Sequence, residues 1–138
     1  MLALARNLPQ QIKNDFNEKT CITQEHTEIE NKIAGIIGLG NIGSHIAKIC
    51  NGLGMKVRYW SRENRNDQYQ FLKLHDLLKS SDFIFNCVET SEETRDFLDK
   101  TKLNLMKSTT YFISVLGGCG WKNVQDDYHL IEMVKKTN

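Results

Sequence analysis

The chain is 138 residues long, with 40% hydrophobic and 25% charged residues, which is the composition of one ordinary globular domain. Its 18 lysines and arginines against 17 aspartates and glutamates leave a net charge of +1. This near-neutral balance argues against a nucleic-acid-binding protein, which needs a concentrated basic surface. Its apolar stretches are far shorter than the roughly 20 residues that cross a bilayer, which argues against a membrane protein.

The N-terminal residues and the cysteines indicate a cytoplasmic protein. No basic residue precedes the apolar residues that follow Met1, so we expect no signal peptide. The cysteines lie far apart, without C-x-x-C or Cys/His ligand spacing, so we expect reduced thiols and no metal site. These cysteines are Cys21, Cys50, Cys87 and Cys119.

The first half of the chain predicts a helix, a loop, a strand and a second helix. Residues 1–16 read as a helix that Pro9 interrupts, and the polar residues 17–31 as a loop. Residues 32–38 are rich in isoleucine without polar alternation, which is typical of a parallel strand buried on both faces. Residues 41–53 predict a helix whose apolar stripe consists of Ile42, Ile46, Ile49 and Leu53.

The second half continues this alternation. Strands are predicted at residues 56–60, 82–88 and 111–116, and helices at 71–79, in a stretch ending at 106, and at 125–135. In the 71–79 helix, Leu74, Leu77 and Leu78 are expected to face inward. Alternating strands and helices predict an α/β fold, here a Rossmann-type doubly wound parallel sheet. We expect about four strands in the order 3-2-1-4, with the first strand central.

A glycine-rich turn joins the first strand to the second helix. Gly38, Gly40 and Gly43 form the pattern G-x-G-x-x-G between a predicted strand and a predicted helix, which is the context of a dinucleotide-binding fingerprint. Gly38 permits the tight turn, Gly40 lets a pyrophosphate approach the backbone, and Gly43 lets the helix lie close to the strand. The helix N-terminus then presents N–H donors to the phosphates. We therefore expect these glycines, with Asn41 and Ile42, to bind the cofactor.

The end of the second predicted strand bears on the choice between NAD and NADP. NAD-specific domains place a carboxylate there to bind the 2′-hydroxyl of the ribose, but this chain has Ser61 followed by Arg62. A serine and a guanidinium can bind a 2′-phosphate instead. These two residues favour NADP over NAD.

Together, these segments resemble the D-isomer-specific 2-hydroxyacid dehydrogenases, in particular the glyoxylate/hydroxypyruvate reductase-like branch. The resemblance runs over nearly the whole chain and is carried by residues 2–9, 34–43, 59–62, 77–84, 90–94, 103–107 and the strand ending at 115. It implies hydride transfer between a nicotinamide cofactor and a small 2-oxo acid. It also implies that Val88 and Thr90, in the loop after the third predicted strand, contact the cofactor.

The family's catalytic residues have no counterpart in this chain. Gly117 occupies the place of the arginine in the family's N-x-A-R-G stretch, and a glycine cannot pair with a carboxylate or polarise a ketone. The glutamate and histidine of the family would lie beyond Asn138, and no histidine here falls in a matching context. We therefore assign no catalytic residue.

We expect residues 1–138 to form a single NAD(P)-binding domain without the substrate domain and the C-terminal strands. This chain alone is then expected to be an inactive portion of a dehydrogenase, with a dinucleotide as its partner. The alternatives are a non-catalytic nucleotide-binding or interaction module, or a truncated reading frame. The N-terminal helix lies where family members make dimer contacts, so a homodimer is a further expectation.

Overall fold

The computed structural model describes residues 1–16, 26–63, 68–89, 91, 94 and 97–115. Within these residues, helices are interspersed with the strands of one sheet. In chain order the elements are α1 (Leu2–Ala5), α2 (Leu8–Phe16), β1 (Ile33–Ile37), α3 (Asn41–Gly52), β2 (Lys56–Trp60), β3 (Gln70–Phe71), α4 (Leu74–Ser80), β4 (Phe83–Asn86), α5 (Lys100–Leu103) and β5 (Tyr111–Ser114). The expected helix at 125–135 lies outside the described residues.

The sheet is parallel and has the strand order β3-β2-β1-β4-β5. The predicted α/β class and the central position of β1 are confirmed. The expectation of about four strands in the order 3-2-1-4 is wrong, because a short strand, Gln70–Phe71, was missed. Both of its residues are exposed, so no apolar run marks it in the sequence. The strand predicted at 82–88 consequently pairs with β1 on the side opposite β2, and β5 pairs with β4.

Two cores cover the two faces of the sheet, and successive strand residues alternate between them. Ile36 and Phe85 belong to the core under α1 and α3, whereas Ile37 and Ile84 belong to the core under α4. Strand β4 is buried along its whole length between β1 and β5. The leucines expected to face inward on α4 are buried, as predicted: Leu74, Leu77 and Leu78.

The N-terminal segment forms two short helices rather than one. The break falls at Asn7, which has a φ of 53°, two residues before the proline that was expected to interrupt the helix. Pro9 has no N–H to donate to the Ala5 carbonyl, so a continuous helix would leave that oxygen unpaired. The backbone N–H of Thr27 donates to it instead, at 2.9 Å. This bond fixes α1 beside the chain that leads into β1.

Helix α3 turns a different face to the sheet than its apolar pattern predicted. Ile42 and Ile49 are 43% and 61% exposed, whereas Gly43, Ala47 and Cys50 are buried. The expected stripe is therefore wrong for these isoleucines. Small residues spaced by four and three let the helix backbone approach the sheet closely, and this close approach turns the isoleucines outward.

On the other face, α4 approaches β1 at Gly35. A Cβ built on this glycine would overlap the Ser81 hydroxyl oxygen and lie 3.3 Å from Leu77 Cγ. The Ser81 hydroxyl donates to the Leu77 carbonyl at 2.7 Å, and the Ser81 carbonyl accepts from the buried Thr110 hydroxyl at 2.9 Å. A glycine at position 35 is thus required for α4 to pack against the central strand.

The amino end of the sheet is held by Asp82. One of its carboxylate oxygens accepts from the Ile33 N–H at 2.8 Å, and the other lies 2.9 Å from Lys107 Nζ. Burial tends to raise the pKa of this carboxyl, but the Ile33 and Lys107 hydrogen bonds outweigh it and the pKa lies below its ordinary value. In the part of the chain that the structure describes, no helix is long and apolar enough to cross a membrane.

Candidate functional site

The carboxyl ends of three neighbouring strands bring the predicted site residues together. The Gly38 N–H, just after β1, donates to the Trp60 carbonyl at the end of β2, at 2.8 Å. On the other side of β1, the Cys87 N–H donates to the Ile37 carbonyl, also at 2.8 Å. Gly38 therefore lies between the residues that follow β2 and those that follow β4. This is the switch point at which open parallel sheets bind ligands.

The first and third glycines of the turn are required by their surroundings. Gly38 has a φ of 91°, which side-chain-bearing residues rarely adopt, and a Cβ there would lie 3.1 Å from Val88 Cγ2. Gly43 is buried in the first turn of α3, where a Cβ would overlap the Gly38 carbonyl oxygen. The first turn of α3 therefore packs directly onto the glycine turn, as the sequence predicted.

The middle glycine has open space in front of it. A Cβ built on Gly40 meets nothing within 4 Å, and its backbone is extended, so the protein itself does not require glycine there. Gly40 is the N-cap of α3 and supplies no side-chain acceptor to the N–H groups of the first turn. Asn41 and Ile42 begin the helix and are exposed. This open helix start fits a phosphate group.

Ser61 and Arg62 lie directly after β2, at the same edge of the sheet. Ser61 is half-buried, and its hydroxyl donates to the Glu63 carbonyl within the turn. A hydroxyl has one proton and can rotate, so the Ser61 hydroxyl can donate to a ligand in place of the Glu63 carbonyl. Arg62 is exposed, next to the strand end that bonds to Gly38. The structure thus places both predicted residues directly after the strand end that is hydrogen-bonded to the glycine turn.

The loop after β4 approaches from the other side. Val88 is half-buried against Gly38, whereas Thr90 lies outside the described residues. The sequence analysis did not identify Thr94, which holds the backbone of this loop through two hydrogen bonds. Its hydroxyl donates to the Glu89 carbonyl and accepts from the Ser91 N–H, both at 2.6 Å. The S-x-x-T spacing could have indicated this, because Ser and Thr side chains commonly bond to nearby backbone.

An aromatic contact at this edge was also missed. Trp60, the last residue of β2, stacks on Phe97 with ring centroids 4.8 Å apart and an interplanar angle of 28°. Cys87, which precedes Val88, is partly buried, and burial raises the pKa of its thiol to about 11. A thiol with that pKa is protonated at neutral pH and is a poor nucleophile.

Across the described ranges, no three His, Cys, Asp or Glu side chains are arranged to hold a metal ion. His45 lies on the second turn of α3, where its Nδ1 is 2.7 Å from the Asn41 carbonyl oxygen. Gly117, which stands in place of the family's arginine, lies outside the described residues. The geometry at this edge supports phosphate binding, and the described residues add no acid–base pair to it.

A glycine turn between the first strand and the first crossover helix, at the switch point of a parallel sheet, defines a dinucleotide-binding domain. Residues 1–137 match the NAD binding domain of the D-isomer specific 2-hydroxyacid dehydrogenases, and the chain belongs to this family. The resemblance found in the sequence is thereby confirmed. A nicotinamide dinucleotide is accordingly the cofactor of this domain.

Individual relatives agree with this assignment. A glyoxylate reductase of Pyrococcus horikoshii is 34% identical over 114 residues, which make up 79% of this chain and 33% of that protein. An acyclic imino acid reductase (Bsp5), solved in complex with NADPH and D-Arg, has a TM-score of 0.84 and 27% identity, over 97% of this chain and 44% of that one. A glyoxylate reductase from Paecilomyes thermophila has a TM-score of 0.83 at 20% identity, over 98% and 42%, which shows the fold alone. The chain spans about a third of the length of the first of these relatives.

Proposed function

We propose that this chain is the cofactor-binding portion of a dehydrogenase that transfers hydride between NAD(P)H and a small 2-oxo acid such as glyoxylate or hydroxypyruvate. The observation that carries the proposal is the open helix start at Gly40, next to a turn in which Gly38 and Gly43 are both sterically required. The relative from Pyrococcus horikoshii is a glyoxylate reductase, which supports the substrate class. When bound, the dinucleotide supplies the hydride.

The phosphates are proposed to lie on the glycine turn. The N–H groups of Asn41, Ile42 and Gly43 have no carbonyl one turn earlier in α3, so they point toward the space in front of Gly40. Val88 lies beside the turn on the β4 side, where its Cγ2 would be 3.1 Å from a Cβ built on Gly38. Thr90 is proposed to contact the cofactor from the same loop.

We propose NADP as the preferred cofactor. Arg62 and Ser61 follow β2 at the position of the ribose, where a guanidinium and a hydroxyl suit a 2′-phosphate better than a 2′-hydroxyl. The imino acid reductase was solved with NADPH, which supports this choice in a relative. The test is a calorimetric titration of the purified chain with NADPH and with NADH. Tighter binding of NADPH, lost in Arg62→Ala but retained in Arg58→Ala, is the expected result.

The matched control, Arg58, is half-buried within β2 itself rather than after its end. An Arg62→Ala variant that binds NADPH as tightly as the unaltered chain would contradict the assignment of the 2′-phosphate site. Equal affinities for the two nucleotides in the unaltered chain would contradict the preference for NADP.

We propose that this chain alone does not turn over. Gly117 cannot pair with a substrate carboxylate or stabilise developing charge on a carbonyl oxygen, and residues 1–138 contain no match for the family's glutamate and histidine. Oxidation of NADPH in the presence of glyoxylate, followed at 340 nm, is expected to stay at the level of the buffer. Turnover that copurifies with the chain through two unrelated separations would overturn this part of the proposal.

We also propose that the chain forms a homodimer in the cytoplasm. It is supported by large apolar side chains that remain exposed on three helices. Replacement of two of them by lysine should shift a dimer to monomer in analytical ultracentrifugation, whereas a monomeric unaltered chain would refute it. These exposed side chains are Leu2, Leu8, Ile12, Ile42 and Ile49. Exposed apolar side chains are also compatible with the alternative of a non-catalytic interaction module, which would bind the nucleotide but take no part in hydride transfer.

A further inference from the structure

The stacked pair Trp60–Phe97 joins two segments that are distant in sequence, at the edge of the sheet where the cofactor is proposed to bind. Trp60 ends β2, and Phe97 lies shortly before α5. Both side chains are half-buried, and both pack against a core that contains the fully buried Ile37. Their rings are 4.8 Å apart and inclined by 28°, which is a favourable arrangement for an aromatic pair.

Trp60 is directly connected to both parts of the proposed cofactor site. Its backbone carbonyl accepts the Gly38 N–H at 2.8 Å, and its peptide bond continues into Ser61 and Arg62. A change in the position of Trp60 therefore moves the glycine turn through one hydrogen bond. It moves the ribose-binding residues through the covalent chain.

Phe97 is held by contacts with Lys102 of α5. Lys102 Nζ donates to the Phe97 carbonyl at 2.7 Å, and lies 5.6 Å from the centroid of its ring. The same ammonium group pairs with Asp99 at 2.9 Å, while the Lys102 N–H donates to the Asp99 carboxylate at 2.9 Å. Asp99 is thus the N-cap of α5, and Phe97 is fixed both by its carbonyl and by its ring.

From these contacts we infer that Trp60 and Phe97 are positioning residues for the 2′-phosphate end of the cofactor. The stack holds the end of β2 against α5 and so fixes the segment that carries Ser61 and Arg62. The inference rests on the proposed function, since it concerns the same site. Neither ring has to touch the cofactor for this effect.

The test is the substitution Phe97→Leu, which removes the aromatic ring but keeps an apolar side chain. We expect roughly three- to tenfold weaker NADPH binding, the worth of one aromatic pair, and a smaller change for NADH, which lacks the 2′-phosphate. Phe97→Tyr keeps the ring and should restore the affinity. Binding is measured by calorimetry and unfolding by circular dichroism on each variant.

The chain offers a matched control at the other end of the sheet. Phe83 and Tyr111 begin β4 and β5 and are stacked at 4.9 Å with an interplanar angle of 12°. Tyr111→Leu removes a comparable aromatic contact far from the glycine turn. It should lower the thermal midpoint while both nucleotide affinities stay as in the unaltered chain.

The outcomes separate the two levels of the proposal. If the unaltered chain binds neither nucleotide, the proposed function fails, and the inference fails with it. If the unaltered chain prefers NADPH but Phe97→Leu has the same affinities and preference, only the inference is overturned. An equal loss in Phe97→Leu and Tyr111→Leu, or an equal loss for NADPH and NADH, also overturns it.

A second variant covers the case in which Phe97→Leu does not fold. Lys102→Met keeps both rings but removes the ammonium group that holds the Phe97 carbonyl and ring, so the stack is held less firmly. A loss of NADPH affinity of about twofold or more, with NADH affinity unchanged, supports the inference. An unchanged NADPH affinity in this variant overturns it.

Discussion

The glycines of α3 and its preceding turn allow folding and cofactor binding to be tested separately. Each is replaced by alanine, so each variant gains one methyl group in a different environment. The new Cβ at position 43 would overlap the Gly38 carbonyl oxygen and lie 3.2 Å from Ile36 Cγ2. At Gly40 and at Gly52 the new Cβ meets nothing within 4 Å.

The expected magnitudes follow from these surroundings. Because the overlap is with a backbone oxygen, overpacking should cost about 2–3 kcal/mol, the upper part of the usual range. The helix propensity of alanine returns about 1 kcal/mol, so Gly43→Ala should destabilise the fold by about 1–2 kcal/mol. Gly40→Ala should cost only about 0.5 kcal/mol, through the poorer N-cap. Gly52→Ala, at the exposed end of the helix, should be neutral or slightly stabilising.

Nucleotide binding should follow a different order. The methyl group of Gly40→Ala projects into the space proposed for the pyrophosphate, so NADPH binding should weaken at least tenfold, which is about 1.4 kcal/mol. Gly52→Ala should bind as the unaltered chain does. Urea unfolding followed by circular dichroism gives the stabilities, and calorimetric titration gives the affinities.

Two results would refute this reasoning. Unchanged NADPH affinity in Gly40→Ala would show that the open space before α3 does not hold the pyrophosphate. Unchanged stability in Gly43→Ala would show that the first turn of α3 is not packed onto the Gly38 carbonyl.

Three further predictions concern the rest of the fold. Gly35→Ala should destabilise the chain by about 1–3 kcal/mol in urea unfolding. Adding Ser81→Ala should recover part of this loss, because it removes the oxygen that the new methyl group would overlap. Additive losses in the double variant would contradict this explanation. A carboxyl whose pKa is lowered on folding stabilises the protein above its unfolded pKa, near 3.8, and this contribution is lost as the pH falls further. Asp82→Asn should therefore cost about 1 kcal/mol at pH 7 and less near pH 3, and a pH-independent difference would contradict this. Burial raises the pKa of Cys50 and Cys87 to about 11, so both thiols should resist a thiol reagent at pH 7 until urea unfolds the chain. Peptide mass spectrometry of the labelled chain measures this, and rapid labelling of either cysteine in the folded chain would contradict it.

Most of the sheet could be predicted from the sequence, because its inner strands are apolar runs. Residues 34–37 and 83–86 are buried between neighbouring strands, and both ranges consist almost entirely of apolar residues. Strand β3 has two exposed residues and forms only through its pairing with β2, as in Tyr59↔Phe71. A strand defined by its partner rather than by its composition leaves no local signal, and missing it changed the inferred order of the others.

The orientation of α3 could not be read from its pattern of large apolar residues. Its buried face consists of Gly43, Ala47 and Cys50, and small side chains carry little weight in a hydrophobic pattern. Ile42 and Ile49 formed a convincing stripe in the sequence but lie on the exposed side of the helix. The need for close packing at the glycine turn decides the orientation of the helix, and this need is visible only once Gly38 and Gly43 are seen in contact.

The proposed cofactor site also has one part that the sequence predicts and one part that depends on contacts distant in sequence. The proposed phosphate site is local in sequence, because residues 38–43 supply all of its backbone donors from one turn and one helix start. The three glycines of this turn can each be assigned a role from their spacing alone. The ribose end depends on a second strand that is placed by pairing with the first, so Ser61 and Arg62 could be named from the sequence. The contacts that hold them in place could not be. Trp60 stacks on a residue 37 positions later in the chain, and no periodicity connects the two. Affinity for the pyrophosphate should therefore depend mainly on the glycine turn, whereas preference for the 2′-phosphate should depend also on long-range packing. Gly40→Ala should accordingly weaken the binding of both nucleotides, and Phe97→Leu should mainly reduce the preference for NADPH over NADH.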